Sequence, residues 1–170
     1  MKTDQMLFDE LMALTQANEA FYCQDFSLGT SVYRIFNYRL ASYSDFLLPS
    51  ALECRGIMFE LDVANLCVKR LASRPMQKFF NLNENPMTMG LDLSKVDTVE
   101  LKADGSLMST YMHDDELRLK SKGSLFSEQA IDAMKWLDLP ENEQFKRRLA
   151  IMDRSGVTVN LEWCAPHNRI

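Results

Sequence analysis

The sequence predicts an α+β protein, a mainly antiparallel sheet with flanking helices. Three observations lead there. Short runs of β-branched and aromatic residues alternate with period two in the middle and at the end of the chain. Turn residues separate successive runs, and apolar residues recur at helical spacing only near the N-terminus and over 127–152. Taken in order, Thr3 or Asp4 caps a helix over 4–20, where Leu7, Leu11 and Leu14 repeat at i, i+4, i+7 with Phe8 and Met12 beside them. From 31 to 58 the residues favour strands, as in Val32-Tyr33-Arg34-Ile35-Phe36, with turn residues over 42–49. Strands around 55–61 and 66–71 form a hairpin through Asp62-Val63-Ala64-Asn65, and 81–86 is a loop by composition.

The most regular stretch is 96–122. Alternation places Val99 and Leu101 on one face of a strand and Thr98, Glu100 and Lys102 on the other; Ala103-Asp104-Gly105 turns the chain and 107–112 returns. After a second turn at 113–116, Leu117 and Leu119 point inward while Arg118, Lys120 and Lys122 share a cationic face. Ser127 caps a helix carrying Ala130, Ile131, Met134 and Leu137, and Pro140 opens another with Phe145, Leu149 and Met152 on one side, ended by Ser155-Gly156. In a last strand over 157–163, Val157, Val159, Leu161 and Trp163 face one way and Thr158, Asn160 and Glu162 the other. No repeat or linker divides 1–170.

At 170 residues the chain can bury one core, and 46% hydrophobic with 25% charged residues excludes a disordered or collagen-like polymer. Charges interrupt every apolar run before bilayer length, and Asp4, Asp9 and Glu10 argue against a signal peptide, so a cytoplasmic protein without membrane association is expected. Cys23, Cys54, Cys67 and Cys164 form no C-x-x-C pair; with His113 in an acidic turn and His167 in a loop, no metal site made by the protein and no histidine dyad is predicted. Net charge −5 removes a bulk polyanion footprint, so any polyanion site must be local. The 51–80 segment is such a locality: Arg55, Lys69, Arg70, Arg74 and Lys78 outnumber Glu53, Glu60 and Asp62.

Lys102-Ala103-Asp104-Gly105-Ser106 ends a predicted strand on a lysine before a glycine turn, where an amine reaches into a cleft. A lysine nucleophile must be neutral, and Arg55, Lys78, Arg118, Lys120 and Lys122 would favour that form if they converge on it. A solvated lysine in an Asp-Gly hairpin turn is the simpler alternative.

The K-x-D-G pattern beginning at Lys102 resembles the nucleotide-binding signature of covalent nucleotidyltransferases. The chain as a whole resembles the phage RNA ligase 1 family of T-even phages, through ordered blocks. These are Tyr33-Arg34-Ile35-Phe36, Ala41-Ser42-Tyr43-Ser44-Asp45, Leu52-Glu53-Cys54-Arg55-Gly56-Ile57-Met58-Phe59-Glu60, Ala72-Ser73-Arg74-Pro75-Met76, Lys78-Phe79-Phe80-Asn81-Leu82-Asn83-Glu84-Asn85-Pro86, Lys102 to Ser106, and Lys120-Ser121-Lys122-Gly123-Ser124. The resemblance implies an α+β nucleotidyltransferase (ATP-grasp-like ligase) domain that joins RNA with ATP and Mg2+ in three steps. A lysine takes AMP from ATP, AMP moves to an RNA 5′-phosphate, and a 3′-hydroxyl displaces it, with cleaved tRNA as the implied substrate. Residue by residue it implies Lys102 as the AMP-bearing nucleophile and Arg55 and Lys78 as phosphate and ribose contacts. It also implies Tyr38 near the nucleotide, Lys122 as the lysine of the following motif, and Glu162 orienting a ribose hydroxyl or a metal-bound water.

Phe79 and Phe80 are candidates to stack on adenine. The family's further acidic-glycine motif, its final lysine pair and its helical C-terminal domain have no counterpart over 1–170, which are read as the N-terminal part of such a domain. That leaves open a binding module without catalysis, or one half of a split ligase completed by a separately encoded C-terminal portion. DNA ligases and capping enzymes share K-x-D-G but not the surrounding blocks.

Overall fold

A computed structural model describes residues 2–65 and 67–166. Helix α1 spans Asp4–Ala17, and Thr3 caps it by accepting from the Met6 N–H at 3.2 Å. Its end comes three residues before the sequence expectation because Asn18 takes over: its N–H bonds the Leu14 carbonyl while its Oδ1 accepts from the Ala20 N–H, turning the chain into a strand. That strand, β1 (Phe21–Leu28), escaped the sequence reading. It pairs with β2 (Ser31–Tyr38) across a tight turn, and β3 (Ile57–Asp62) and β4 (Cys67–Ser73) complete a four-stranded antiparallel sheet in the order β1-β2-β3-β4. The predicted β3–β4 hairpin is present; its Leu66 lies outside the described residues. The 42–53 stretch contains two single-turn 3-10 helices, 45–47 and 51–53.

A second antiparallel sheet has the order β6-β5-β7, from β5 (Ser106–His113), β6 (Glu116–Ser121) and β7 (Asn160–Trp163). Side-chain alternation sets the layers. Phe36, Ile57 and Phe59 pack on the buried stripe Leu7, Leu11 and Leu14 of α1. Tyr33, Ile35 and Met58, on the other face of the first sheet, meet Tyr111 of β5 and Leu125. Met108, Met112, Leu117 and Leu119, on the far face of the second sheet, pack under α2 (Glu128–Leu137) and α3 (Glu143–Arg154). The order is helix, sheet, sheet, helices, an α+β architecture as expected.

Several local expectations are corrected. Residues 96–104 form no strand, and Val99 and Leu101 are 90% and 96% exposed instead of facing a core. The edge of β5 that a hairpin through Gly105 would require is taken by β7, which pairs from Ser106↔Trp163 to Ser109↔Asn160 while β6 holds the other edge. The face carrying Lys120 is not solvated: it lies against the first sheet, and Lys120 is fully buried. In α2 Ala133 is buried where Ile131 was expected, and in α3 Leu149 and Ala150 are buried while Phe145 and Met152 stay exposed. β7 begins at Asn160, leaving Val157 exposed.

Candidate functional site

The ends of β2 and β6 and the turn into β3 meet at one corner of the first sheet. Gly56 makes the meeting possible. It has φ +95°, its N–H bonds the Phe36 carbonyl at 2.9 Å, and a Cβ there would stand 2.6 Å from the Lys122 carbonyl oxygen. Lys120 Nζ donates to the Gly56 carbonyl at 2.6 Å, and Asn37 Nδ2 donates to the Lys122 carbonyl at 3.0 Å. These links hold Lys122 beside Arg55. On the other side, the Lys78 N–H bonds the Leu52 carbonyl at 2.8 Å and brings 78–80 alongside.

Aromatic rings underlie the resulting cations. Lys122 Nζ lies 4.9 Å from the Tyr38 ring centroid, Lys78 Nζ 4.5 Å from that of Phe80, and the Arg55 guanidinium 4.8 Å from that of Phe79. Tyr38 and Phe80 both meet Phe46 edge-on, so the floor is continuous with the core under α1. The adjacent phenylalanines divide between surface and core, and each already carries a cation on its ring.

The charges are unbalanced. Lys69 and Arg70 pair with Glu60, and Arg74 pairs with Glu53, so the basic excess of 51–80 resides on Arg55 and Lys78. Among the described residues no carboxylate pairs with Arg55, Lys78 or Lys122, and Arg55 Nη1 is buried without a hydrogen-bond partner. Burial pushes the Lys122 amine pKa down, and the positive charges of Arg55 and Lys78 push it the same way. Lys120 behind them is driven by burial to about 7. Three like charges over an aromatic floor, one with an orphaned donor, form an anion site suited to phosphate oxygens.

Tyr38, Arg55, Lys78 and Lys122, predicted separately, are thus brought together. Lys102 and Glu162 are not part of this corner. Lys102 is exposed in 101–104, outside the strands. Glu162 is exposed on β7 opposite Leu107, beside a groove of about 610 Å³ lined by Trp136, Phe145 and Trp163. Gly105, three residues after Lys102, lies against the strand that carries Glu162, where a Cβ would collide with the Trp163 carbonyl oxygen. Arg118 pairs with Glu116.

Sequence reasoning missed Asn37 and Gly56 as parts of the corner and named Lys120 only among the cations that could converge, not as a buried support; the available signal was a glycine directly after Arg55 in a strand-forming run. The four cysteines are free, the buried Cys54 thiol is pushed up to about 12 by burial, and the described residues hold no group of three or more metal-ligating side chains. His167 lies outside the described residues. Among them no helix is long and apolar enough to cross a membrane.

A family model described as RNA ligase matches residues 53–170, which takes in Arg55, Lys78, Lys102, Lys122 and Glu162 and begins after Tyr38. With well over half of the chain matched, the protein belongs to the RNA ligase family, of the phage RNA ligase 1 type.

Proposed function

We propose that this chain carries the nucleotide-loading machinery of an ATP-dependent RNA ligase that seals 5′-phosphate and 3′-hydroxyl ends, with cleaved tRNA in the cytoplasm of a phage-infected cell as its substrate. The observation that carries the reading is the convergence of Arg55, Lys78 and Lys122 over Phe79, Phe80 and Tyr38, with no carboxylate paired to them among the described residues. Arg55 holds phosphate oxygens as a fork, Lys78 and Lys122 act as point charges, and Tyr38 contacts the nucleotide. Lys102 Nζ, deprotonated, attacks the α-phosphorus of ATP; an N–P bond forms as the bond to pyrophosphate breaks. Glu162 orients a ribose hydroxyl. Mg2+, when bound with ATP, supplies further neutralisation of phosphate charge. The AMP then passes to the RNA 5′-phosphate and leaves when the 3′-hydroxyl attacks. Residues 1–170 supply the N-terminal portion of that nucleotidyltransferase domain.

The test is incubation with α-labelled ATP and magnesium. Label is expected on the chain and lost in Lys102→Ala and in Lys102→Arg, whose guanidinium stays protonated; label persisting on either variant refutes the assignment. One observation favours a second reading. Lys102 stands outside the cationic corner, as expected for a module that binds nucleotide without transferring it. Saturable ATP binding with no label on any lysine would establish that reading instead.

A further inference from the structure

Arg55 and Lys78 repel each other, and each reaches the corner from a segment without regular structure: 54–56 before β3, and 74–80 after β4. A restraint must hold these segments together. Glu53 occupies the junction. Its carboxylate is buried, two residues before Arg55, and accepts Arg74 through both oxygens, from Nη2 at 2.6 Å and from Nε at 3.1 Å. Oε1 also accepts from Gln77 Nε2 at 2.8 Å, and Gln77 immediately precedes Lys78. The same two segments meet through the Lys78 N–H and the Leu52 carbonyl at 2.8 Å. Arg74 is fixed at its backbone too, its N–H donating to Thr158 Oγ1 at 2.8 Å.

We propose that Glu53 is a positioning residue for the nucleotide phosphates, its buried carboxylate clasping Arg74 and Gln77 so that Lys78 is held beside Arg55 at the spacing a phosphate chain requires. The inference rests on the phosphate-site reading above. The clasp is geometrically demanding. A fork on two carboxylate oxygens fixes direction as well as distance, and Gln77 transmits that direction to the next residue. The clasp touches no ligand itself. Glu60, on β3, offers an internal comparison: it is an equally buried carboxylate, held by Lys69 and Arg70, but its partners carry neither Arg55 nor Lys78.

The experiment measures ATP affinity, with magnesium, by calorimetry at a temperature where every variant is folded by circular dichroism, alongside thermal midpoints. Glu53→Gln and Glu60→Gln are both expected to lower the midpoint. Only Glu53→Gln is expected to weaken ATP binding, by about 10–100-fold. Arg74→Lys keeps the charge but loses the fork, and is expected to weaken binding severalfold, so the proposal stays testable if Glu53→Gln does not fold. Arg55→Ala distinguishes loss of the phosphate site from loss of its positioning. If Arg55→Ala binds ATP as tightly as the unaltered chain, the phosphate-site reading itself falls. If Arg55→Ala loses binding while Glu53→Gln and Arg74→Lys keep it, or if Glu60→Gln weakens binding as much as Glu53→Gln, only the positioning role of Glu53 falls.

Discussion

Replacing Gly56 with alanine should be among the most damaging single-methyl additions to this chain. Two separate penalties apply. At φ +95° an L-residue is strained by about 1–3 kcal/mol. The new Cβ would also stand 2.6 Å from the Lys122 carbonyl oxygen, a backbone atom that no rotamer change can move away. Overpacking of this kind costs about 1–3 kcal/mol more. The expected total, about 2–6 kcal/mol, is a large part of the roughly 5–15 kcal/mol that stabilises a domain. Gly156 is the control: its φ is +87°, but nothing lies within 4 Å of a Cβ there, so Gly156→Ala carries only the strain. Urea unfolding of both variants isolates the contact as a difference of about 1–3 kcal/mol. Because relief of the clash moves Lys122 away from Arg55, Gly56→Ala should also weaken ATP binding while Gly156→Ala does not. Equal destabilisation by the two substitutions, with ATP affinity unchanged in both, would refute the claim that close approach of β6 to the Gly56 turn builds the corner.

Other outcomes follow from the same contacts. Lys120 has a folded pKa of about 7 against an unfolded value near 10.5, so between those limits the unfolded chain binds more protons and stability rises with pH. Over pH 7–8.5 the unaltered chain should therefore gain stability, by up to about 1.4 kcal/mol per pH unit, and Lys120→Met should lose that slope; parallel pH profiles would contradict the burial of an uncharged amine. Val99→Ser and Leu101→Ser should change stability by less than about 0.5 kcal/mol, against about 2–5 kcal/mol for Leu11→Ala, and a core-sized loss at Val99 or Leu101 would restore the strand over 96–102. Alanine at Arg55 or Lys78 should reduce labelling of Lys102 at least about tenfold. At Lys69 or Arg70 alanine should lower the unfolding midpoint by stripping a partner from Glu60 but leave labelling intact; equal losses at all four would indicate a diffuse field.

How far the sequence carried the fold depended on the range of the contacts involved. Residues with strong local signals were found: the Leu7-Leu11-Leu14 stripe, the caps at Thr3 and Ser127, and the β3–β4 hairpin. β1 was hidden because Cys23, Gln24 and Asp25 break its apolar pattern, and its existence depends on pairing with β2. The alternation over 96–102 misled for the opposite reason. The pattern is local, but a strand needs a free edge, and β7, more than fifty residues away, fills it. Four of the six site residues meet at one corner, yet nothing in their spacing foretold that Gly56, Asn37 and Lys120 would hold them there. Those roles arise where two sheets touch. Lys120 in particular reads as a solvated strand lysine by alternation, and only the second sheet's contact with the first buries it.

A crystal structure of the chain with ATP and magnesium decides whether the cationic corner holds the nucleotide phosphates. The triphosphate is expected against Arg55, Lys78 and Lys122, the nucleoside beside Tyr38, and Arg55 Nη1 donating to a phosphate oxygen. Nucleotide bound elsewhere, as in the groove between Trp136 and Trp163, with the cationic corner empty, would contradict that placement.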